Sequence, residues 1–229
     1  MTKQSMLAAV AVLVASASAS AGIVAGWSMN TVIPASPATT GSNYTYGIAD
    51  LGDATVGTAL SGFHALAATT WSTPAGNGST YALSSNNWSV GDYYQVSVST
   101  VGFSDIYLAW DQTRSSTGPS NFRVDMSTDG TNFTTILASY TVIQAGLAGT
   151  GTLAWSVVNG VQSAFTTTIA SIAGADEQAS LTFRFVNLST VATGGTNRID
   201  NIIVHSGPIP APGAIALLGL AGLAARRRR

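Results

Sequence analysis

Apolar and polar positions alternate with a period of two over much of the middle and later chain. Tyr94, Val96 and Val98 alternate with Gln95, Ser97 and Ser99. Ile106, Leu108 and Trp110 alternate with Tyr107 and Ala109, and Phe122, Val124 and Met126 alternate with Arg123 and Asp125. Leu181, Phe183 and Phe185 alternate with Thr182 and Arg184, and residues 23–29 read as a first strand. Alternation of this kind puts one face of a strand into a core and the other toward water. Asp129-Gly130 reads as the turn of a hairpin joining 122–127 to 133–138. Stretches rich in Gly, Pro and Asn at 34–43, 73–79, 115–121 and 192–196 read as loops. Many short strands with one-sided patterning predict an all-β chain folded as a single antiparallel β-sandwich.

The two ends depart from that pattern. Residues 1–21 carry one cation, Lys3, then an apolar run and a Ser/Ala stretch with small-x-small sites. This is the form of a secretory signal peptide, with cleavage expected after Ala19 or Ala21. At the other end, Pro210, Ala211, Pro212 and Gly213 lead into an uncharged run at 214–225, closed by Arg226, Arg227, Arg228 and Arg229. The prolines delay a helix until after them. The apolar run would then span about 18 Å as a helix, short of the ~30 Å hydrocarbon core. Spacer, short apolar helix and terminal basic cluster suit a sorting signal better than a lasting anchor. The expected division is 1–21 signal peptide, 22–207 β-sandwich and 208–229 sorting tail.

The tail resembles the PEP-CTERM sorting signal, with Pro210-Ala211-Pro212 where that family has Pro-Glu-Pro. The resemblance implies an exported protein handed to an exosortase-type membrane protease, held in the membrane by its C-terminal helix until processed. The body from Gly91 onward resembles galactose-binding-like jelly-roll domains. The residues that carry this are Trp110-Asp111, the 116–119 and 127–133 turns with Phe122, and the closing run 198–204.

Setting both ends aside changes the charge. The chain holds 9 Lys+Arg and 10 Asp+Glu. The body keeps four arginines, Arg114, Arg123, Arg184 and Arg198, against all the carboxylates, a net of about −6. No basic patch exists to neutralise phosphates, so nucleic acid is excluded as a partner. There is no cysteine, so an exported fold must rest on its core rather than on disulfides.

Catalytic chemistry has little to stand on. A thiol nucleophile is absent, His64 and His205 are the two histidines, and no G-x-S-x-G elbow occurs. His64 is read as structural or surface, and Asp176-Glu177 as a solvated turn. The expectation is a non-enzymatic protein with no cofactor. Asp200 shares the period-two face of Ile202 and Val204, so its carboxylate needs partners. The candidates are Arg198, backbone amides, or a structural Ca²⁺ with oxygens from Asp50 or Asp53. Trp71, Tyr81 and Trp88, in loop-rich sequence with Asn77, Asn86 and Asn87, are candidate glycan contacts, with core packing as the competing role. Two main functional readings follow: a structural surface or matrix protein, and a carbohydrate-binding module with the same address. An envelope hydrolase is a distant third.

Overall fold

The computed structural model describes residues 22–30, 39–146 and 154–207. The expected signal peptide, with Ala19 and Ala21, and the sorting tail, with Pro210, Ala211, Pro212, Gly213 and Arg226 to Arg229, lie outside these residues. So do the signal helix and the hydrophobic helix expected to flank the sandwich.

The described chain is all-β. Its strands are β1 (Gly22–Trp27), β2 (Thr39–Thr40), β3 (Asn43–Gly47), β4 (Ala59–Phe63), β5 (Thr70–Ser72), β6 (Leu83–Ser85) and β7 (Tyr93–Val98). They continue with β8 (Ile106–Arg114), β9 (Asn121–Ser127), β10 (Thr134–Thr141), β11 (Thr166–Ile169), β12 (Leu181–Asn187) and β13 (Asn197–Ser206). One short 3₁₀ turn, Ser163–Phe165, precedes β11. Sheet A runs β11-β8-β13-β6-β5-β2, with β1 also pairing β13, and sheet B runs β10-β9-β12-β7-β4-β3. All pairings between strands are antiparallel. The chain crosses from sheet to sheet at β2–β3, β4–β5, β6–β7, β7–β8, β8–β9, β10–β11, β11–β12 and β12–β13, the habit of a jelly-roll sandwich.

The alternating positions read from the sequence meet between the sheets. Tyr94, Val96, Ile106, Leu108, Trp110, Phe122, Val124, Leu181, Phe183 and Phe185 are each 0% exposed and belong to one core. Met126 lies at its margin. The Asp129-Gly130 turn forms as expected between β9 and β10. The Asp129 carboxylate caps it, accepting from the Thr131 and Asn132 amides and from the Asn132 side chain. The 34–43 stretch, read as loop, holds β2 and the first residue of β3.

One departure has a clear cause. Between β13 and β8 the register passes from Asp200↔Asp111 to Ile203↔Ala109, so β13 carries one extra residue. Asn201 sits there with φ of 45°, a β-bulge. The bulge breaks the period, so Ile199 and Ile202, three apart, both enter the core. Asp200 therefore does not share a face with Ile202 and Val204. It lies on the outer face, directly across from Asp111.

The core also fixes a glycine. Gly62 on β4 sits beneath the Trp71 indole, and a methyl group there would strike its ring carbons. Trp71 cannot drift away, because its Nε1 donates to the Gly41 carbonyl at 2.7 Å. Gly62→Ala should therefore destabilise the fold by about 1–3 kcal/mol through overpacking. Urea unfolding checks this, and unchanged stability would show that Trp71 is not seated as described.

Candidate functional site

Three connections meet at one end of the sandwich: residues 64–69 between β4 and β5, 86–92 between β6 and β7, and 188–196 between β12 and β13. They enclose a cavity of about 350 Å³ lined by Leu66, Asn87, Trp88, Ser89, Val90, Thr190, Val191 and Thr193. Leu66 and Val90 form an exposed apolar rim, at 47% and 61% exposure. Hydroxyl and amide groups complete the wall, and no ionisable side chain lines it. A concave, partly apolar site with a few convergent polar groups is the usual form of a small-ligand pocket.

Buried polar side chains hold these loops in place. Asp92, 4% exposed, accepts from the Ala65 amide at 2.8 Å and the Ser89 amide at 2.6 Å, joining two of the loops. Asn187, fully buried, donates from Nδ2 to the Ser89 and Ser189 carbonyls, joining the third. Asn87 donates its amide to Thr193 O and its Nδ2 to Ala68 O. Its backbone has φ of 54°, a sparsely populated conformation for a non-glycine residue. Its Oδ1 is buried without a hydrogen-bond partner among the described residues.

Behind the pocket lies His64. Its Nδ1 is 3.3 Å from the Asp92 carboxylate and its Nε2 3.3 Å from Ser85 Oγ. The order Ser85–His64–Asp92 copies a catalytic triad in outline. Ser85 is 1% exposed, however, and His64 is packed against the Trp71 and Trp88 rings, so no substrate carbonyl can reach the hydroxyl. The histidine is structural, one of the two roles expected for it. Burial pushes its pKa down to about 4 against the pull of Asp92, so the ring is neutral at pH 7.

Trp71 and Trp88 come together around this histidine, yet not as a glycan platform. They are 1% and 4% exposed, and Trp88 shows no more than an edge to the pocket floor. The core-packing role holds for both, because sugar stacking needs an open ring face. Tyr81 is partly buried against the same core and does not line the pocket.

A second array crosses the outer face of sheet B. The rings of Phe63 and Tyr93 stack at 5.0 Å, and the Arg184 guanidinium lies 4.3 Å from the Tyr93 ring and 3.6 Å from that of Phe133. This ladder is closed upon itself, each group covering the face of the next, and serves as a cross-strand brace.

On the outer face of sheet A, Asp111 and Asp200 are 2% and 0% exposed. Arg198 forms no ion pair with Asp200. The partners are donors: the Asn77 amide at 2.7 Å, Ser79 Oγ at 2.5 Å and the Asn201 amide at 2.8 Å for Asp200. Asp111 accepts from Asn77 Nδ2, Asn201 Nδ2 and Thr166 Oγ1. Asp50 instead accepts from Ser28. The backbone-amide alternative accounts for Asp200. A shell of N–H and O–H groups does not fit a calcium ion, which needs oxygens that present lone pairs. No cluster of three or more metal-ligating side chains occurs among the described residues.

The proton count at Asp200 is informative. Ser79 Oγ has one hydrogen and two acceptors, Tyr81 O at 2.8 Å and Asp200 Oδ2 at 2.5 Å. A proton on Asp200 satisfies both contacts. Burial, aided by Asp111, pushes the Asp200 pKa up to about 7 against its three donors. The folded chain thus holds a proton between roughly pH 4 and 7 that the unfolded chain releases. The contribution to stability is full below pH ~4 and lost as pH rises through 7. His64 acts oppositely: its contribution is full above pH ~6.5 and lost as pH falls toward 4. Asp200→Asn removes the first effect, so the variant should gain on the parent chain by a few kcal/mol between pH 4.5 and 8, at about 1.4 kcal/mol per pKa unit. Urea unfolding at the two pH values measures it; a difference independent of pH would show that Asp200 is ionised throughout.

No protein-family model and no curated protein matches the chain. Solved structures of related outline include TmCBM61 in complex with beta-1,4-galactotriose, at 14% identity and a TM-score of 0.39 over 66% of this chain and 90% of that one. The K1 cleaved adhesin domain of Lys-gingipain from Porphyromonas gingivalis W83 matches at 14% identity and a TM-score of 0.43, over 80% and 98%. A family 35 carbohydrate binding module from Clostridium thermocellum matches at 14% identity and a TM-score of 0.35, over 61% and 88%. At such values the likeness is one of outline and assigns no residue a role.

Proposed function

We propose that the chain is an exported, non-enzymatic β-sandwich of the cell surface or extracellular matrix whose loop-end pocket binds a neutral glycan. The carrying observation is the pocket between the three connections. It is preorganised by Asp92, Asn187 and Asn87, free of charge, rimmed by Leu66 and Val90, and lined by the hydroxyls of Ser89, Thr190 and Thr193. Apolar rim atoms suit the C–H faces of a sugar, and the hydroxyl and amide groups suit its O–H groups. Rigid loops lower the entropic cost of binding. No ionisable side chain lines this pocket to act as acid or base toward its hydroxyls, which supports a binding rather than a catalytic role.

A neutral-glycan array on the body should show specific binding. Leu66→Glu and Val90→Glu, which alter the exposed rim and leave the core intact, should weaken it by about tenfold or more, the scale of one lost contact worth ~1.4 kcal/mol. No neutral glycan bound, or binding indifferent to both variants, would overturn the pocket assignment. Tryptophan variants are poor probes here, because removing Trp71 or Trp88 opens the core.

Export is the second half of the proposal. The signal-like residues 1–21 and the tail 208–229, with its Pro-Ala-Pro spacer and Arg226 to Arg229, support delivery to the envelope and processing by an exosortase-type membrane protease. Fusing residues 209–229 to an exported reporter should retain it at the envelope and shorten it by the tail in cells that hold such a protease. Release of the uncut fusion into the medium would show that the tail is not read.

A further inference from the structure

The four arginines of the body are not placed alike. Arg123 donates from Nε to both oxygens of Asp125. Arg184 is bonded to Gln95 and sandwiched between aromatic rings. The other two stand on neighbouring strands, Arg114 across from Asn197 and Arg198 across from Thr113, so their side chains leave opposite faces at one end of sheet A. Arg114, at the end of β8, and Arg198, on β13, line one cleft of about 200 Å³ with Thr113, Ser115, Gln144 and Thr196.

Arg114 is tied to neighbouring backbone. Its Nε donates to Val142 O at 3.0 Å, and its Nη1 to Ser115 O and Ser116 O, each at 3.1 Å. Those carbonyls leave its Nη2 without a partner among the described residues. Arg198 makes no hydrogen bond and no ion pair among the described residues, although it is half-buried, and burial pushes its pKa down. A guanidinium taken partly out of water with nothing to bond is costly. No carboxylate lines the cleft, in a body whose acids outnumber its cations by about six.

The wall opposite is rigid. Ser115 N–H donates to Thr196 O at 2.9 Å, and Thr196 N–H returns the bond to Ser115 Oγ at 2.9 Å. Gly118 and Gly195 let the two loops cross at this point, since a methyl group on either would strike the other loop's backbone. The same 188–196 connection that walls the cleft at Thr196 walls the neutral pocket at Thr193.

We infer that the Arg114–Arg198 cleft is an anion site that takes the carboxylate or sulfate group of an acidic saccharide. The chemistry matches: the half-buried Arg198 guanidinium, with no hydrogen-bond partner among the described residues, offers charge-assisted hydrogen bonds to a planar or tetrahedral oxyanion. The size matches a single charged residue, being smaller than the ~300 Å³ at which pockets for larger ligands begin. That the anion belongs to a saccharide rests on the glycan-binding reading above; that the cleft takes an anion does not.

Calorimetry on the full chain with oligogalacturonate, a sulfated galactan oligosaccharide and neutral galactan tests it. One or both acidic probes should bind, the preferred one identifying carboxylate or sulfate, and added salt should weaken the binding. Arg198→Gln should cost about tenfold or more, as loss of a charge-assisted contact does. Arg184→Gln, which removes the same charge from the other sheet, should leave binding unchanged. Failure of both acidic probes to bind, acidic binding indifferent to salt, or undiminished binding by Arg198→Gln would each overturn the site. Acidic binding lost in Arg198→Gln but kept in Leu66→Glu would uphold it even if the array finds no neutral ligand.

Discussion

Two carboxylates facing each other across the central strands of sheet A set the terms for much of this fold. Asp111 and Asp200 form a direct cross-strand pair, buried on both sides. Like charges so placed repel, and burying them unpaired would be prohibitive. The chain supplies donors instead of a cation, and Asn77 and Asn201 each serve both carboxylates. Asn77 gives its amide to Asp200 and its Nδ2 to Asp111, and accepts Asn201 Nδ2 on its carbonyl. Its side chain also exchanges two hydrogen bonds with the Gln162 backbone. Each bond has a structural consequence. The connection between β5 and β6 is drawn over the sheet, the segment before β11 is drawn over that connection, and Trp155 and Phe165 then close a small apolar cluster on top. A proton shared with Ser79 completes the arrangement, so this part of the molecule carries its own response to pH.

The same logic, polar groups inside and loops bound to them, recurs at the pocket. Asp92 and Asn187 do for the loop end what Asn77 does for sheet A. With no cysteines to staple loops and few charged side chains to pair on the surface, the chain uses buried Asp and Asn to bond backbone amides and carbonyls. Such bonds are short-range and directional, and they fix loop conformation more closely than apolar contact does. His64 fits the pattern as a neutral ring, spanning Asp92 and Ser85 and filling the space between two tryptophans. The triad-like order of these three residues follows from packing needs, and their burial removes them from chemistry.

The sequence made the sandwich legible where strands are long and alternate strictly. The core residues of β7, β8, β9 and β12 could be read from period alone, as could the β9–β10 turn. Strands of two or three residues such as β2, β5 and β6 have no room for a period and left no signal. Asp200 was assigned the wrong face because a bulge inserts one residue at Asn201, and parity cannot survive an insertion. For Trp71 and Trp88 the loop-rich sequence leaves core packing and glycan contact both open; burial at 1% and 4% exposure decides for the core. Asn77 gave no hint of its place as a hub, since a short loop with Gly on either side looks alike whether it is solvated or buried. The pocket residues Leu66, Val90 and Thr193 belong to no pattern that a linear reading could isolate. One clue to the arginine cleft was visible: a body with four cations must place each of them for a reason.

That scarcity carries the argument about where binding sits. The outer face of sheet B is the obvious platform in a sandwich, and here it is spent on structure. Phe63, Tyr93, Arg184 and Phe133 cover one another, and Arg123 is tied to Asp125. The outer face of sheet A is roofed by the Asn77 loop and the Trp155 cluster. The loop end remains, where the 188–196 connection separates an uncharged pocket from a cleft bordered by Arg198. Both walls are held by hydrogen bonds to loop backbone, from the Asp92, Asn187 and Asn87 side chains at the pocket and between Ser115 and Thr196 at the cleft. Of the body's four arginines, Arg198 alone makes no hydrogen bond, ion pair or aromatic contact among the described residues, and that open donor is what the acidic-saccharide proposal rests on.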